Sequence, residues 1–317
     1  MKSIDDLDNR ILNGDVRAAA RLMRLIDDRA PRARTFLSAL QPHTGSAYIL
    51  GVTGNPGSGK STLVNQLIHQ FRDRDQTVAC IAIDPTSPFS GGAILGDRVR
   101  MQDHAGDDGV FIRSVATRGH LGGLSRSTPA MVQVMDAMGY DVVIVETVGV
   151  GQDEIEIVRL ADTSLVVLVP GLGDDIQAEK AGLMEIADVF VLNKSDLPGS
   201  DRLKREVQTM LSLYRATDGD DPLPAIVQTS ATGKQGLDEL VAAIDDHRLA
   251  LETNRPTSVR NRNRCAHLIR AIARTELDIL FDQKAPSKRF DDLVDDVEKG
   301  KIDPYTAAEK LTRWLTE

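Results

Sequence analysis

Cysteine is nearly missing from this chain of 317 residues: Cys80 and Cys265 stand far apart, with no C-x-x-C pair. That excludes a disulfide framework and fits two buried thiols in a reducing cytosol. Aromatic residues make up 4% of the chain, with a single tryptophan, which leaves few rings for stacking nucleic-acid bases. Positive charge is also in deficit. There are 38 Lys and Arg against 47 Asp and Glu, a net charge of −9, which excludes a general binder of nucleic acid or of anionic membranes. No apolar run is long enough to span a bilayer, and the stretch Met1-Lys2-Ser3-Ile4-Asp5-Asp6 has no apolar leader core. A cytoplasmic protein with neither a membrane nor a nucleic-acid partner is expected. Internal repeats and low-complexity tracts are absent too.

What is present divides into three zones. Residues 1–45 place Ala18, Ala19, Leu22, Met23 and Ile26 at helical spacing and end near Pro42-His43-Thr44-Gly45, which predicts an N-terminal helical extension. Residues 46–250 alternate short apolar runs with amphipathic stretches. Strands are expected at 47–53, 77–83, 110–114, 141–146, 164–169, 188–193 and 225–229. This alternation predicts an α/β domain, a mostly parallel sheet with helices on both faces. Ser127-Thr128-Pro129 supplies a cap and a first-turn proline, and Gly139 closes that helix. Residues 251–317 turn wholly helical, with Ile269, Ile272, Ala273, Leu277 and Leu280 on one face and breaks at Pro286 and Pro304.

The run Gly54-Asn55-Pro56-Gly57-Ser58-Gly59-Lys60-Ser61-Thr62 fits G-x-x-x-x-G-K-[ST], the phosphate loop of P-loop nucleotide triphosphatases. Three glycines let the backbone wrap anionic oxygens, and the helix that follows turns its positive end toward them. Lys60 would reach the β- and γ-phosphates, and the Ser61 hydroxyl would ligate Mg²⁺. The context matches, with an apolar strand before the loop and a helix after it.

Asn193-Lys194-Ser195-Asp196 follows an apolar strand and resembles the N-K-x-D guanine-reading motif. An ionised Asp196 accepts from the guanine ring N–H and the exocyclic amine. Adenine lacks that donor pair and leaves the carboxylate unmatched. Lys194 would lay its stem over the base and Asn193 would brace the loop. Thr229-Ser230-Ala231 follows the next strand and resembles the segment that supports the guanine oxygen. Glu146-Thr147-Val148-Gly149 stands where many GTPases have D-x-x-G, with Glu in place of Asp as the metal-side acid and the Gly149 N–H toward the γ-phosphate. Gln152 reads equally as a polar residue at a helix start or as a neighbour of the attacking water. Asp84 ends a strand at the carboxyl edge, where open α/β sheets hold ligands, and Asp97 lies in the long loop that follows.

Together these segments resemble the methylmalonyl-CoA mutase-associated GTPase family of the MeaB/ArgK type, whose members also carried the name lysine/arginine/ornithine transport-system kinase. The resemblance spans nearly the whole chain. Its most diagnostic parts are Asp84-Pro85-Thr86-Ser87-Pro88 through Gly96-Asp97-Arg98 and Glu146-Thr147-Val148-Gly149-Val150-Gly151-Gln152.

The resemblance implies a GTPase (G) domain with an N-terminal helical extension and a C-terminal dimerisation arm. It implies GTP/GDP and Mg²⁺ as ligands, with Asp84, Asp97 and Glu146 around the metal. Lys180, in Gly173-Asp174-Asp175-Ile176-Gln177-Ala178-Glu179-Lys180, is either a solvated helix lysine or a group that swings toward the nucleotide. The implied job is a GTP-hydrolysing chaperone for an adenosylcobalamin-dependent acyl-CoA mutase, gating cofactor loading and reactivation. The D-x-H-x-x-G cobalamin signature is missing, so no cobalamin is expected on this chain alone. A metal-insertion GTPase is the first rival, and six dispersed histidines weigh against it. A transport-linked kinase would need a phosphoacceptor pocket, for which no motif stands out. A nucleotide-binding scaffold without turnover is the third. Arg98 and Arg118 lie in loops and read as surface salt-bridge partners, with no motif marking an arginine finger.

Overall fold

The computed structural model describes residues 6–84, 102–104, 106–116, 127–147, 157, 159–171, 186–218, 223–254, 257–284 and 288–316. The chain divides into two compact units, Met1–Asn261 and Arg262–Glu317.

The first unit begins with α1 (Leu7–Leu12), α2 (Val16–Asp27) and α3 (Ala33–Leu40). The Asp15 carboxylate caps α2 by accepting from the Arg17 and Ala18 N–H groups at 2.9 and 3.1 Å. Ala18, Ala19, Leu22 and Met23 form the buried face of α2. A seven-stranded, wholly parallel sheet follows. Its strands are β1 (Tyr48–Thr53), β2 (Val78–Asp84), β3 (Val110–Ala116), β4 (Val142–Glu146), β5 (Thr163–Leu168), β6 (Val189–Leu192) and β7 (Ala225–Gln228). They run β3-β2-β4-β1-β5-β6-β7 across the sheet. All seven expected strands are found, because each is a β-branched run short enough to cross a sheet covered by helices on both faces. β1, β2, β4, β5 and β6 are buried throughout, whereas the edge strands β3 and β7 are only partly covered.

On one face Leu50, Val52, Val142 and Leu165 pack with Leu63 and Leu67 of α4 (Lys60–Arg72) and Leu240 and Ile244 of α7 (Leu237–Asn254). On the other, Val166, Leu168, Phe190 and Leu192 pack with Leu203 and Val207 of α6 (Ser200–Asp218). α5 (Thr128–Ala137) ends before Gly139, as expected. Ser127 sits at its N-cap position without a side-chain capping bond. The expected cap is not made because Ser127 is itself in the helical αR region (φ −83°, ψ −19°) instead of the extended conformation of a capping residue, and Pro129, at N2, has no N–H to offer.

α5 also joins the N-terminal helices to the sheet. The Gln133 amide donates to the Leu37 carbonyl at 2.9 Å. The buried Asp136 carboxylate accepts from the backbone N–H of Gly45, Ser46 and Ala47 at 2.6, 3.1 and 2.9 Å, fixing the approach to β1. Asp136→Ala strands these donors and is expected to cost about 2–3 kcal/mol, lowering Tm by roughly 5–10 °C. Calorimetry showing an unchanged Tm would mean that water replaces the carboxylate at no cost.

The second unit holds most of α8 (Thr257–Lys284), with α9 (Lys288–Glu298) and α10 (Pro304–Thr316). Phe281 and Phe290 meet edge to face at 6.3 Å. No described hydrophobic residue of this unit is buried, and Ile269, Ile272 and Leu277 of α8 are 67%, 57% and 60% exposed. The two thiols differ accordingly. Cys80 is buried in β2, as expected, but Cys265 is exposed on α8, where no described hydrophobic residue is buried. Among the described residues no helix is long and apolar enough to cross a membrane.

Candidate functional site

Five of the expected segments meet at the carboxyl edge of the sheet. β1 runs straight into the phosphate loop, and α4 begins at Lys60. The loop depends on two glycines in particular. Gly54 has φ +136°, and a Cβ there would lie 2.2 Å from the Val167 carbonyl oxygen on β5. Gly59 has φ +87°, and its Cβ would lie 2.6 Å from the Asn193 amide nitrogen. Only glycine tolerates both the dihedral and the approach. Lys60 is buried, and its ammonium donates to the carbonyls of Gly54 and Asn55 at 2.6 and 3.1 Å, arching over the loop.

The acids arrive from the strands on the other side. β4 pairs with β1 and β2, setting Glu146 beside Val52 and Ala82. The Ser61 hydroxyl donates to Glu146 Oε1 at 2.7 Å. Asp84, at the end of β2, is buried at the same edge. Asp97, Gly149 and Lys180 lie outside the described residues, as do Arg98, Arg118 and Gln152.

The N-K-x-D segment leaves β6 and grips the phosphate loop directly. The Asn193 amide donates to the Ser58 carbonyl at 2.9 Å, while its oxygen accepts from the Ala231 N–H and the Thr229 hydroxyl, both at 3.2 Å. Lys194 adopts φ +56° and donates to the Gly57 carbonyl at 2.8 Å. The Ser230 hydroxyl donates to Asp196 Oδ1 at 2.5 Å, and the Ser230 backbone pairs with Gln235. A cavity of about 140 Å³ opens between these loops, lined by Gly59, Thr62, Asn193, Lys194, Asp196, Leu197, Ala231 and Thr232.

Several contributors were not singled out from the sequence. Leu197 and Thr232 line the cavity, and the buried Thr53 and Thr147 hydroxyls join at 2.9 Å. Their proximity to strand ends was the available clue. Beneath the loop, Asn65 of α4 meets the His104 ring at 2.8 Å. Burial, then the neighbouring His69, pushes the His104 pKa below the ordinary imidazole value, favouring the neutral ring.

A family model described as methylmalonyl-CoA mutase-associated GTPase MeaB matches residues 19–285. A protein of Pyrococcus abyssi assigned as a GTPase is 46% identical over 313 residues, covering 98% of this chain and 96% of that one. The fused isobutyryl-CoA mutase of Geobacillus kaustophilus is 36% identical over 214 residues, covering 64% of this chain and 20% of the mutase. The crystal structure of a LAO/AO transport system kinase superposes with a TM-score of 0.73 at 28% identity, covering 100% of both chains.

Proposed function

The chain belongs to the methylmalonyl-CoA mutase-associated GTPase family MeaB, and from that premise we propose that it hydrolyses GTP as a chaperone of an adenosylcobalamin-dependent acyl-CoA mutase. The observation that carries the nucleotide part is the shared framework of the phosphate loop and the N-K-x-D loop. Asn193 and Lys194 bond the very loop whose helix carries Lys60 and Ser61. Guanine would enter the cavity beside Asp196, which Ser230 orients. Phosphates would lie along the glycine-rich backbone at the start of α4, with Lys60 leaving its carbonyl partners to neutralise them.

The donor chemistry fits Mg²⁺. A serine hydroxyl beside a buried carboxylate offers hard oxygen ligands. Among the described residues no three His, Cys, Asp or Glu cluster as a metal cage. Ser61, Asp84 and Glu146 would hold the ion, joined by Asp97 in our reading, and it would neutralise charge developing on the phosphate oxygens. The chain's own part is to align water with the γ-phosphate and to steady the triphosphate.

The mutase part is supported by the family's description and by the mutase of Geobacillus kaustophilus that contains a related segment. We further assign residues 251–317 as a homodimerisation arm, because α8 carries an uncovered apolar row. A cytoplasmic site of action goes with this reading.

The test is phosphate release from GTP and from ATP with Mg²⁺, with and without an adenosylcobalamin-dependent acyl-CoA mutase. Slow GTP-selective turnover is expected, accelerated on the order of 10-fold or more by the mutase, within what partner proteins supply to GTPases. Equal rates with and without the mutase would remove the chaperone assignment, and equal use of ATP would remove the guanine assignment.

A further inference from the structure

Glu146, the last residue of β4, and Thr147, just after it, hold the phosphate loop at both of its ends, from opposite faces of the sheet. Paired residues share a face and side chains alternate along a strand, so Glu146 and Val52 share one face while Thr53, paired with Val166, is on the other, where the Thr147 hydroxyl meets it. Val52 packs with residues of α4, which places Glu146 on the α4 side, where it accepts the Ser61 hydroxyl just after the loop. Thr147 works just before the loop. Its N–H donates to the Val52 carbonyl at 3.0 Å and its hydroxyl to the Thr53 hydroxyl oxygen at 2.9 Å. Thr53 and Thr147 are 0% and 1% exposed, so no solvent competes for this bond. Thr53 is followed directly by Gly54, and Thr147 directly follows Glu146. A shift of Thr147 is therefore passed to its neighbour Glu146 and moves that carboxylate relative to Ser61 and to the first residue of the loop.

We propose that the Thr147 hydroxyl is a positioning residue for turnover: its bond to Thr53 sets where the Glu146 carboxylate meets Ser61 at the phosphate loop. The role acts through Glu146, with no contact between Thr147 and substrate. It rests on the GTPase reading above.

Three variants separate positioning from packing. Thr147→Val keeps the volume and deletes the donor, leaving the Thr53 hydroxyl buried without it. The pair Thr53→Val with Thr147→Val deletes both partners, a change that is close to neutral for stability. Thr147→Ser keeps the hydroxyl. In the full chain, kcat for GTP is expected to fall about 10- to 100-fold in Thr147→Val, as small misplacements do, with KM little changed. The double variant is expected to recover Tm but not kcat, and Thr147→Ser to restore most of kcat. Should Thr147→Val fail to fold, Thr53→Val alone removes the acceptor and reads the same bond.

A double variant that regains kcat together with Tm would reduce the pair to packing and overturn the proposal. So would a Thr147→Ser variant as slow as Thr147→Val. A wild-type chain that releases no phosphate from GTP overturns the GTPase reading and this inference with it. An active wild type with unaffected valine variants overturns the inference alone.

Discussion

Lys60→Ala is expected to lower GTP turnover by about 10²- to 10³-fold, the range seen when one preorganised donor to a developing charge is removed. Lys60 is buried at the first position of α4, within 3.1 Å of two carbonyls of the phosphate loop. Its ammonium is thereby held where phosphate oxygens would replace those carbonyls as acceptors. Alanine removes the charge while preserving a good helix former at the start of α4. The loss should therefore appear in phosphate release and nucleotide affinity, with a folded protein by circular dichroism. Turnover indistinguishable from the wild type would place the phosphates elsewhere, and the fold assignment would then carry no functional weight at this loop.

Asp196→Asn is the second large effect. Ser230 holds one carboxylate oxygen at 2.5 Å and aligns the side chain at the cavity between the N-K-x-D and Thr229 loops. Guanine presents two adjacent N–H donors, and an ionised carboxylate matches both. The asparagine amide offers one acceptor and one donor group, so a guanine donor faces a donor in either orientation. GTP affinity is expected to fall about 10²-fold or more, in line with breaking a desolvated charged hydrogen bond. Xanthosine triphosphate, with an oxygen in place of the exocyclic amine, matches the amide and should gain in the variant. Titration calorimetry with the two nucleotides measures the crossover. An unchanged preference for GTP would show that Asp196 does not read the base.

The sheet and the phosphate loop were legible in the sequence because their determinants are local. Seven apolar runs between turn residues become seven strands, since a strand covered on both faces needs nothing more than a short, uninterrupted β-branched segment. Gly54 through Ser61 declare themselves by spacing, for only such glycines permit the loop's dihedrals and close approaches. What escaped are pairings between distant segments. Asp136 reaches back 91 residues to the Gly45 N–H, and Thr147 reaches 94 residues to Thr53. No periodicity encodes such meetings. The Lys194 bond to the Gly57 carbonyl, 137 residues away, belongs to the same class: the motif predicts a stem over the base, and the fold adds a hold on the loop. Cys265 was misjudged for a related reason, because helical spacing on α8 reports an apolar face without saying whether anything covers it.

The strand order has a consequence for ligand size. One strand, β5, separates β1 from β6, so the two loops that leave β1 and β6 are spaced by two strand intervals, about 10 Å. The sheet thus serves as a caliper whose jaws are the loops. Loop residues decide which base and which charge are accepted, whereas the length of molecule that fits is set by hydrogen-bonded backbone that no single substitution at the rim can stretch.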